Sequence, residues 1–291
     1  MTKYSFNIPT KDNPKDLENL IKSIKRQEFK DYEIIVSDAS STNECQSIAK
    51  QYKAKYILDK NKKGLAYGRN LGLKLAKGRW VIWIDADHVL DGNFLNNLDK
   101  FIEKNNFKCI APKQKHLAKT FFQKIITAGH QFHEPHLPTV ISKEVFKKIG
   151  GWDEKLKFYG EDRDFETKIR ENYQVGIAEN AVVYVPTEKN FYSVYKQARS
   201  YGKTLIIFLK KHFLLLLVLN LIYHSSFLPL IILSLLYKPF IYLLYAWMIL
   251  FVIEMFIIAL KTRNIYGLFV PFIKVFRSSV EMMFFIKSLI F

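Results

Sequence analysis

Over roughly the first third of the chain, short apolar runs alternate with stretches whose apolar positions recur every three or four residues. Tyr4-Ser5-Phe6-Asn7-Ile8 alternates and stops at Pro9, as a strand does. Asn13-Pro14 then opens a helix with Leu17, Leu20, Ile21 and Ile24 on one face. Glu33-Ile34-Ile35-Val36 predicts a short buried strand, and Ser40, Ser41 and Thr42 offer caps to a helix carrying Cys45, Ile48, Ala49 and Tyr52. Tyr56-Ile57-Leu58 is a further strand, residues 65–76 a helix, and Trp80-Val81-Ile82-Trp83-Ile84 a fully buried strand. A helix bearing Phe94, Leu95, Leu98, Phe101 and Ile102 follows, then a strand at Cys109-Ile110-Ala111. Repeated β-α-β-α order predicts an α/β fold whose mostly parallel sheet is covered on both faces. Such sheets bind ligands beyond the carboxyl ends of their strands, here just after Ile8, Val36 and Ile84.

The pattern changes past residue 190. From Phe213 to Leu260 nearly every position is apolar, interrupted by His224-Ser225-Ser226 and by Lys238-Pro239. Residues 213–237 and 240–260 each reach the roughly 20 positions that a helix needs to cross a hydrocarbon core. Pro239 cannot continue the first of them, so a transmembrane helical hairpin is expected, with both ends on one side. Lys210 and Lys211 precede it and Lys261 and Arg263 follow it, while Lys238 stands in the turn. Positive charge stays inside, which predicts a multi-pass protein of the cell membrane with its N-terminal domain in the cytosol. A second reading makes 213–237 a re-entrant loop turning at His224-Ser225-Ser226, which would put the C-terminus outside.

The flanks, 191–212 and 261–291, mix apolar and aromatic residues with Lys196, Arg199, Lys203, Lys274, Arg277 and Lys287. Amphipathic helices lying in the headgroup plane have this character. Inside the hairpin, Asn220, His224 and Glu254 are expected to face the partner helix. The expected organisation is thus an α/β domain over 1–190, an interface helix over 191–212, a hairpin over 213–260 and a C-terminal interface segment over 261–291.

Composition narrows the function. Lys and Arg number 44 against 27 Asp and Glu, a formal charge of +17, and 49% of residues are hydrophobic, which excludes a disordered tail. Two cysteines, Cys45 and Cys109, support neither a disulfide framework nor a cysteine zinc site. The stretch from Met1 to Phe6 is too short and polar for a secretory signal. The basic excess suits an anionic membrane surface or phosphate-bearing substrates; no nucleic-acid motif accompanies it.

Chemistry-bearing residues fall where the sheet rule directs. Asp85-Ala86-Asp87 directly follows the buried Trp80–Ile84 strand. Two carboxylates so placed can grip a divalent cation bound to a diphosphate, since Mg²⁺ and Mn²⁺ take oxygen ligands. Asp162-Arg163-Asp164 has the same spacing without the strand before it. Asp38 ends another strand, where it can accept hydrogen bonds from a base or ribose; capping the next helix is an equal alternative. In Gly64-Leu65-Ala66-Tyr67-Gly68-Arg69-Asn70-Leu71-Gly72, glycines allow close backbone approach, and Arg69 can pair with phosphate.

Together these stretches resemble the family 2 glycosyltransferases with the GT-A fold. The matching residues are Ile8-Pro9-Thr10, Val36-Ser37-Asp38-Ala39-Ser40, Gly64 to Gly72 ending in Ala76-Lys77-Gly78, and Asp85-Ala86-Asp87. Gly150-Gly151-Trp152-Asp153-Glu154 and Gly160-Glu161-Asp162 match the family's acceptor-side pattern. The resemblance implies that Asp38 contacts the nucleotide base, that Asp87 binds Mn²⁺ or Mg²⁺ with Asp85 near ribose and metal, and that Pro9, Thr10 and Arg69 line the nucleotide site. It implies further that Asp162, beside Glu161, is the general base, and that Gly151, Trp152 and Asp153 lie toward the acceptor. Ser37, His88 and Tyr184 depart from the pattern, leaving a third protein ligand to the metal open, and Gln197-Ala198-Arg199-Ser200-Tyr201 only loosely matches the motif of processive synthases.

The implied activity is that of an inverting hexosyltransferase. It would move one sugar from a nucleotide-sugar donor to a hydroxyl of a lipid-linked glycan at the cytoplasmic membrane face. A polyprenyl-phosphate glycosyltransferase needs no base for its anionic acceptor and ranks second; a catalytically silent membrane scaffold ranks third. His130, His133 and His136 recur every third residue, more as an acceptor-pocket loop than as a zinc site, because Pro135 breaks the helix that would align them.

Overall fold

The computed structural model describes residues 2–133, 137–156, 160–212 and 215–290. In chain order the elements are β1 (Tyr4–Thr10), α1 (Pro14–Lys25), β2 (Tyr32–Asp38), α2 (Glu44–Gln51), β3 (Lys55–Leu58), α3 (Leu65–Leu75) and β4 (Trp80–Trp83). They continue with β5 (Val89–Leu90), α4 (Phe94–Lys104), β6 (Cys109–Leu117), α5 (Phe121–His133), β7 (Val140–Ser142), α6 (Lys143–Ile149), α7 (Glu161–Asn172) and β8 (Val175–Pro186). Four long helices, α8 (Phe191–Lys211), α9 (Leu215–Ser225), α10 (Phe227–Leu236) and α11 (Phe240–Thr262), lead through a 3₁₀ turn at Ile265–Phe269 to α12 (Val270–Ile290). The chain divides into two compact units, 1–116 with 135–186 and 117–134 with 187–291.

The first unit is built on one sheet in the order β3-β2-β1-β4-β7-β6-β8-β5. Its first four strands are parallel, as the alternation of strand and helix predicts. The other half differs: β7 runs antiparallel to both β4 and β6, and β5 antiparallel to β8, so the sheet is mixed. Strands of two and three residues such as β5 and β7 are too short to show a period in sequence, so of this half only the start of β6, at Cys109-Ile110-Ala111, is among the expected strands.

β1 is central and buried along its whole length. Its alternation sorts residues onto two faces: Tyr4, Phe6 and Ile8 join Leu17, Leu20, Ile21 and Ile24 of α1 in one core cluster. Val81 and Trp83 of β4 point to the opposite cluster with Ala66, Trp152 and Phe165. Ser5 and Asn7, between the apolar residues of β1, face α3, and Asn7 Nδ2 donates to the Arg69 carbonyl at 2.8 Å. The chains meet closely there, because a Cβ at Gly72 would lie 1.9 Å from Asn7 Oδ1.

Glu33 staples the amino edge of the sheet. It accepts from Ser5 Oγ at 2.6 Å and from the amides of Lys77 and Gly78, and it is ion-paired with Lys55. Ala76-Lys77-Gly78 therefore lies at the edge opposite the ends of β1, β2 and β4 and serves packing there.

In the second unit α11 has the length and apolarity to cross a bilayer. The single arm expected over 213–237 is instead two helices, α9 and α10, bent by 46° at Ser226; Phe213 and Leu214 lie outside the described residues. Pro229 has no N–H to give the Ser225 carbonyl, and Ser226 Oγ donates back to the Tyr223 carbonyl at 2.8 Å, two causes of helix bending. His224 lies between the Asn220 carbonyl, 2.9 Å away, and Glu254 Oε2, 3.0 Å away, while Lys274 Nζ donates to Glu254 Oε1 at 2.9 Å.

Gly78 offers a direct check on the amino edge. A Cβ there would lie 2.7 Å from the Ser5 backbone nitrogen, which cannot yield as a flexible side chain would. Gly78→Ala is expected to cost about 1–3 kcal/mol, the usual penalty of overpacking, read as a lower melting temperature in a thermal scan.

Candidate active site

Parallel register brings the carboxyl ends of the first strands together: Thr10 pairs with Asp38 across β1 and β2, and Asn7 with Trp83 across β1 and β4. The loops leaving these strands enclose an open cavity of about 350 Å³. Pro9 and Thr10 line it from β1, Ser37 and Ala39 from the end of β2, Gly64 and Gly68 from the start of α3, and Asp85 and Asp87 from the loop after β4. Gly64 has φ 110°, a backbone state that other residues enter only with strain, so glycine is required where the chain turns into α3.

Behind the cavity wall sits Arg69, 2% exposed. Its Nη2 donates to Asp85 Oδ1 at 2.9 Å and its Nη1 to Glu161 Oε1 at 3.0 Å. The guanidinium lies 4.6 Å from the Trp83 ring centre and 5.9 Å from that of Trp152, within cation–π range. Both arms of Arg69 are directed at carboxylates, and Arg69 is not among the residues that line the cavity.

One guanidinium faces three acids, since Asp162 also acts on it through space. Burial raises the Asp85 carboxyl, but Arg69 and His88 outweigh it and hold the group below the usual range. At Glu161 burial wins over the pull of Arg69, and repulsion from Asp162 and Asp85 helps push its pKa up to about 7. Partial desolvation by the cavity walls raises Asp87 although its side chain keeps an open face, with His88 opposing and Asp85 adding to the rise. Asp162 stands half-buried in the first turn of α7, its Oδ1 accepting from the Arg163 amide at 2.7 Å.

Asp38 is fully buried behind the cavity wall. Its Oδ1 accepts from the Ser40 amide at 2.8 Å and its Oδ2 from the Tyr56 hydroxyl at 2.9 Å, while its neighbours Ser37 and Ala39 face the cavity. Neither Asp38 nor Ser40, Ser41 or Thr42 caps the next helix as expected: α2 starts one residue after Asn43, whose side chain makes no capping hydrogen bond. Burial and the Asp38 carboxylate push the Tyr56 phenol well up, which keeps it a donor.

Trp152 is core, 3% exposed and packed on Phe165 at 4.5 Å. Asn70 grips its backbone on both sides, donating to the Trp152 carbonyl at 2.9 Å and accepting from its amide at 3.0 Å. Gly151 permits this approach, since a Cβ would lie 2.2 Å from Asn70 Oδ1. Asp153 Oδ1 accepts from the Lys155 amide at 3.0 Å.

Among the described residues no group of three or more metal-ligating side chains converges. Tyr184 donates to Asp91 Oδ2 at 3.3 Å, and His88 Nε2 lies 3.8 Å from Asp87 Oδ1. His136 and the side chain of His133 lie outside the described residues; His130 Nε2 is 3.5 Å from Glu188 Oε2 in the second unit.

Lys11, Asn13, Asp59 and Lys62 line the cavity and escaped the sequence reading as site residues. Asp59 directly follows β3, so applying the strand-end rule to Tyr56-Ile57-Leu58 as well would have found it.

Comparison with known proteins bears on the family and the fold. The family model of glycosyl transferase family 2 matches residues 5–148, and that of glycosyl transferase family group 2 matches residues 80–261. The chain is 35% identical over 137 residues to the GalNAc(5)-diNAcBac-PP-undecaprenol beta-1,3-glucosyltransferase of Campylobacter jejuni, covering 43% of this chain and 43% of that protein. It is 29% identical over 122 residues to the poly(ribitol-phosphate) beta-N-acetylglucosaminyltransferase TarS of Staphylococcus aureus, covering 40% of this chain and 21% of the relative. The chain thus matches less than half the length of either relative. Among solved structures, S. aureus TarS 1-349 superposes with a TM-score of 0.54 at 23% identity over 72% of each chain. The mannosyltransferase PcManGT of Pyrobaculum calidifontis, in complex with GDP-Man and Mn²⁺, gives 0.55 at 16% identity, over 72% of this chain and 63% of that one. These two likenesses establish the fold.

Glu161 supplies the pH test. Its carboxyl is raised from the ordinary glutamate value to about 7, so the folded state holds the proton more tightly than the unfolded chain. The resulting stabilisation is complete below the ordinary value and is lost as pH rises through about 7. Melting temperature of the wild type should therefore fall between mildly acidic and neutral pH relative to Glu161→Gln, and parallel curves for the two proteins would contradict the assignment.

Proposed function

The chain belongs to glycosyl transferase family 2, and we propose that this GT-A-fold, nucleotide-sugar-dependent glycosyltransferase adds one sugar, with inversion, to a hydroxyl of a lipid-linked glycan. The observation that carries the reading is the convergence of the Asp85, Asp87, Glu161 and Asp162 segments on one sheet edge through Arg69.

The carboxyl pair of Asp85 and Asp87 fits a divalent cation. Both side chains are more than two-fifths exposed, both line the cavity, and the charge of Asp85 adds to the unfavourable rise of Asp87. Mg²⁺ and Mn²⁺ are commonly held by one or two carboxylates plus substrate phosphates, so a third protein ligand is not required. When bound, such a cation stabilises charge on the departing nucleoside diphosphate. Pro9, Thr10, Ser37, Ala39 and Asp59 supply the walls around the nucleoside.

Asp162 is assigned as general base. An acceptor hydroxyl is a weak nucleophile until its proton is taken in the transition state, an effect of about 10²–10⁴-fold. Asp162 stands on the first turn of α7, half-exposed, while its neighbour Glu161 is buried against Arg69 and keeps that turn in place. A phosphate acceptor needs no base, so the polyprenyl-phosphate reading gives Asp162 nothing to do.

The lipid-linked acceptor rests on the name of the Campylobacter relative together with the apolar α11. Lys210, Lys211, Lys261 and Arg263 flank the apolar region, and we place these ends on the cytoplasmic side of the membrane.

Two substitutions separate the parts of this proposal. Asp87→Asn should abolish the Mn²⁺-dependent component of nucleotide affinity in titration calorimetry; equal affinity with and without the ion in the wild type would remove the cation from the reading. Asp162→Asn should retain donor binding and lower the transfer rate by about 10²–10⁴-fold. Full turnover by that variant would favour a phosphate acceptor instead.

A further inference from the structure

We propose that Lys11 and Lys62 form the cationic clamp for the donor's diphosphate, the role for which Arg69 is unavailable. The inference rests on the nucleotide-sugar reading above and adds to it which residues of this chain meet the phosphates.

Lys11, from the loop after β1, and Lys62, from the loop after β3, both line the cavity that holds Asp85 and Asp87. Neither is ion-paired to a carboxylate of the described residues. Arg69 is committed to Asp85 and Glu161.

Charge balance assigns the two lysines a partner. A divalent cation would be shared between the Asp85–Asp87 pair, whose first member Arg69 also holds, and the diphosphate, each phosphate of which carries one negative charge. Two ammonium groups then match the diphosphate, leaving Asp59 to the neutral part of the donor. Among the charged side chains that line the cavity, Lys11 and Lys62 are basic and Asp59, Asp85 and Asp87 acidic.

The backbone shows that the lysine loops are held in place. Lys62 has φ 48° and Asp12, next to Lys11, has φ 50°, a left-handed state that costs a non-glycine residue strain and persists only where the surroundings enforce it. Both loops are tied to the same point: Lys62 Nζ donates to Ser41 Oγ at 2.7 Å, the Ser41 amide donates to Asp12 Oδ1 at 2.7 Å, and the Asp12 amide donates to Ser40 Oγ at 2.7 Å. The β2–α2 loop thereby sets the positions of both lysine-bearing loops around the cavity mouth. Lysine suits this role, as a flexible point charge that follows a phosphate without a fixed fork geometry.

The test is a phosphate ladder on the 291-residue chain in detergent with Mn²⁺: uridine, UMP and UDP, and in parallel guanosine, GMP and GDP, measured by calorimetric competition. Wild-type affinity should climb from nucleoside to diphosphate, more steeply at low salt. Lys11→Ala and Lys62→Ala should each lower diphosphate affinity on the order of tenfold while leaving nucleoside affinity unchanged, so the ladder flattens. Lys62→Gly, which removes the charge and accepts the left-handed backbone, should flatten it equally and keeps the test valid if Lys62→Ala folds poorly. An unchanged ladder in Lys11→Ala/Lys62→Gly overturns the clamp while the donor reading stands. Failure of every nucleotide to bind the wild type overturns the donor reading and the clamp with it.

Discussion

A buried guanidinium with two carboxylates decides how this site is assembled. Arg69, Asp85 and Glu161 come from α3, the loop after β4 and the start of α7, and their sequence separations of 16 and 92 residues collapse to contacts of 2.9 and 3.0 Å. Removing one partner of a buried ion pair leaves an uncompensated charge that costs about 3–5 kcal/mol, so the arrangement is strongly specified once formed. The guanidinium also packs against the indole rings of Trp83 and Trp152, which ties the polar hub to the aromatic core on that face of the sheet. Because three acids share one cation, charge is unevenly resolved: Asp85 keeps its charge, and Glu161 is the group driven toward holding a proton.

The two edges of the sheet are treated in opposite ways. At the amino edge, Glu33 satisfies Ser5, Lys55 and the backbone of the Lys77-Gly78 turn, closing the structure with internal partners. At the carboxyl edge, Asp85 and Asp87 keep more than two-fifths of their side chains exposed, and Lys11 and Lys62 face an open cavity. Polar groups are thus closed off by internal partners at one end and left open to a cavity at the other, the end at which α/β sheets bind ligands.

The second unit follows different rules. Its helices carry large exposed apolar side chains along α10 and α11, and its polar groups are drawn inward, with His224, Glu254 and Lys274 linked across α9, α11 and α12. Ionisable residues in such apolar surroundings are costly unless paired, and these three are paired with one another. The bend at Ser226 comes from one proline and two serines in an otherwise uniform run, a local cause that a window of average hydropathy passes over.

Much of this protein was legible from its sequence because the relevant physics is local. Periods of two and of three to four along the first third determine the parallel strands and their helices, and the strand-end rule then points to Thr10, Asp85 and Asp87. The family was likewise readable, since its motifs are contiguous. What the tertiary structure decided are matters of direction and company. Arg69, Asp38 and Trp152 each sit in a recognisable motif, yet each side chain turns into the protein to satisfy a partner distant in sequence. Lys11 and Lys62, with no motif of their own, occupy the space that is left. Spacing along a chain specifies which face of an element a residue takes; whether that face meets solvent, a ligand or another buried charge depends on packing between segments far apart in sequence.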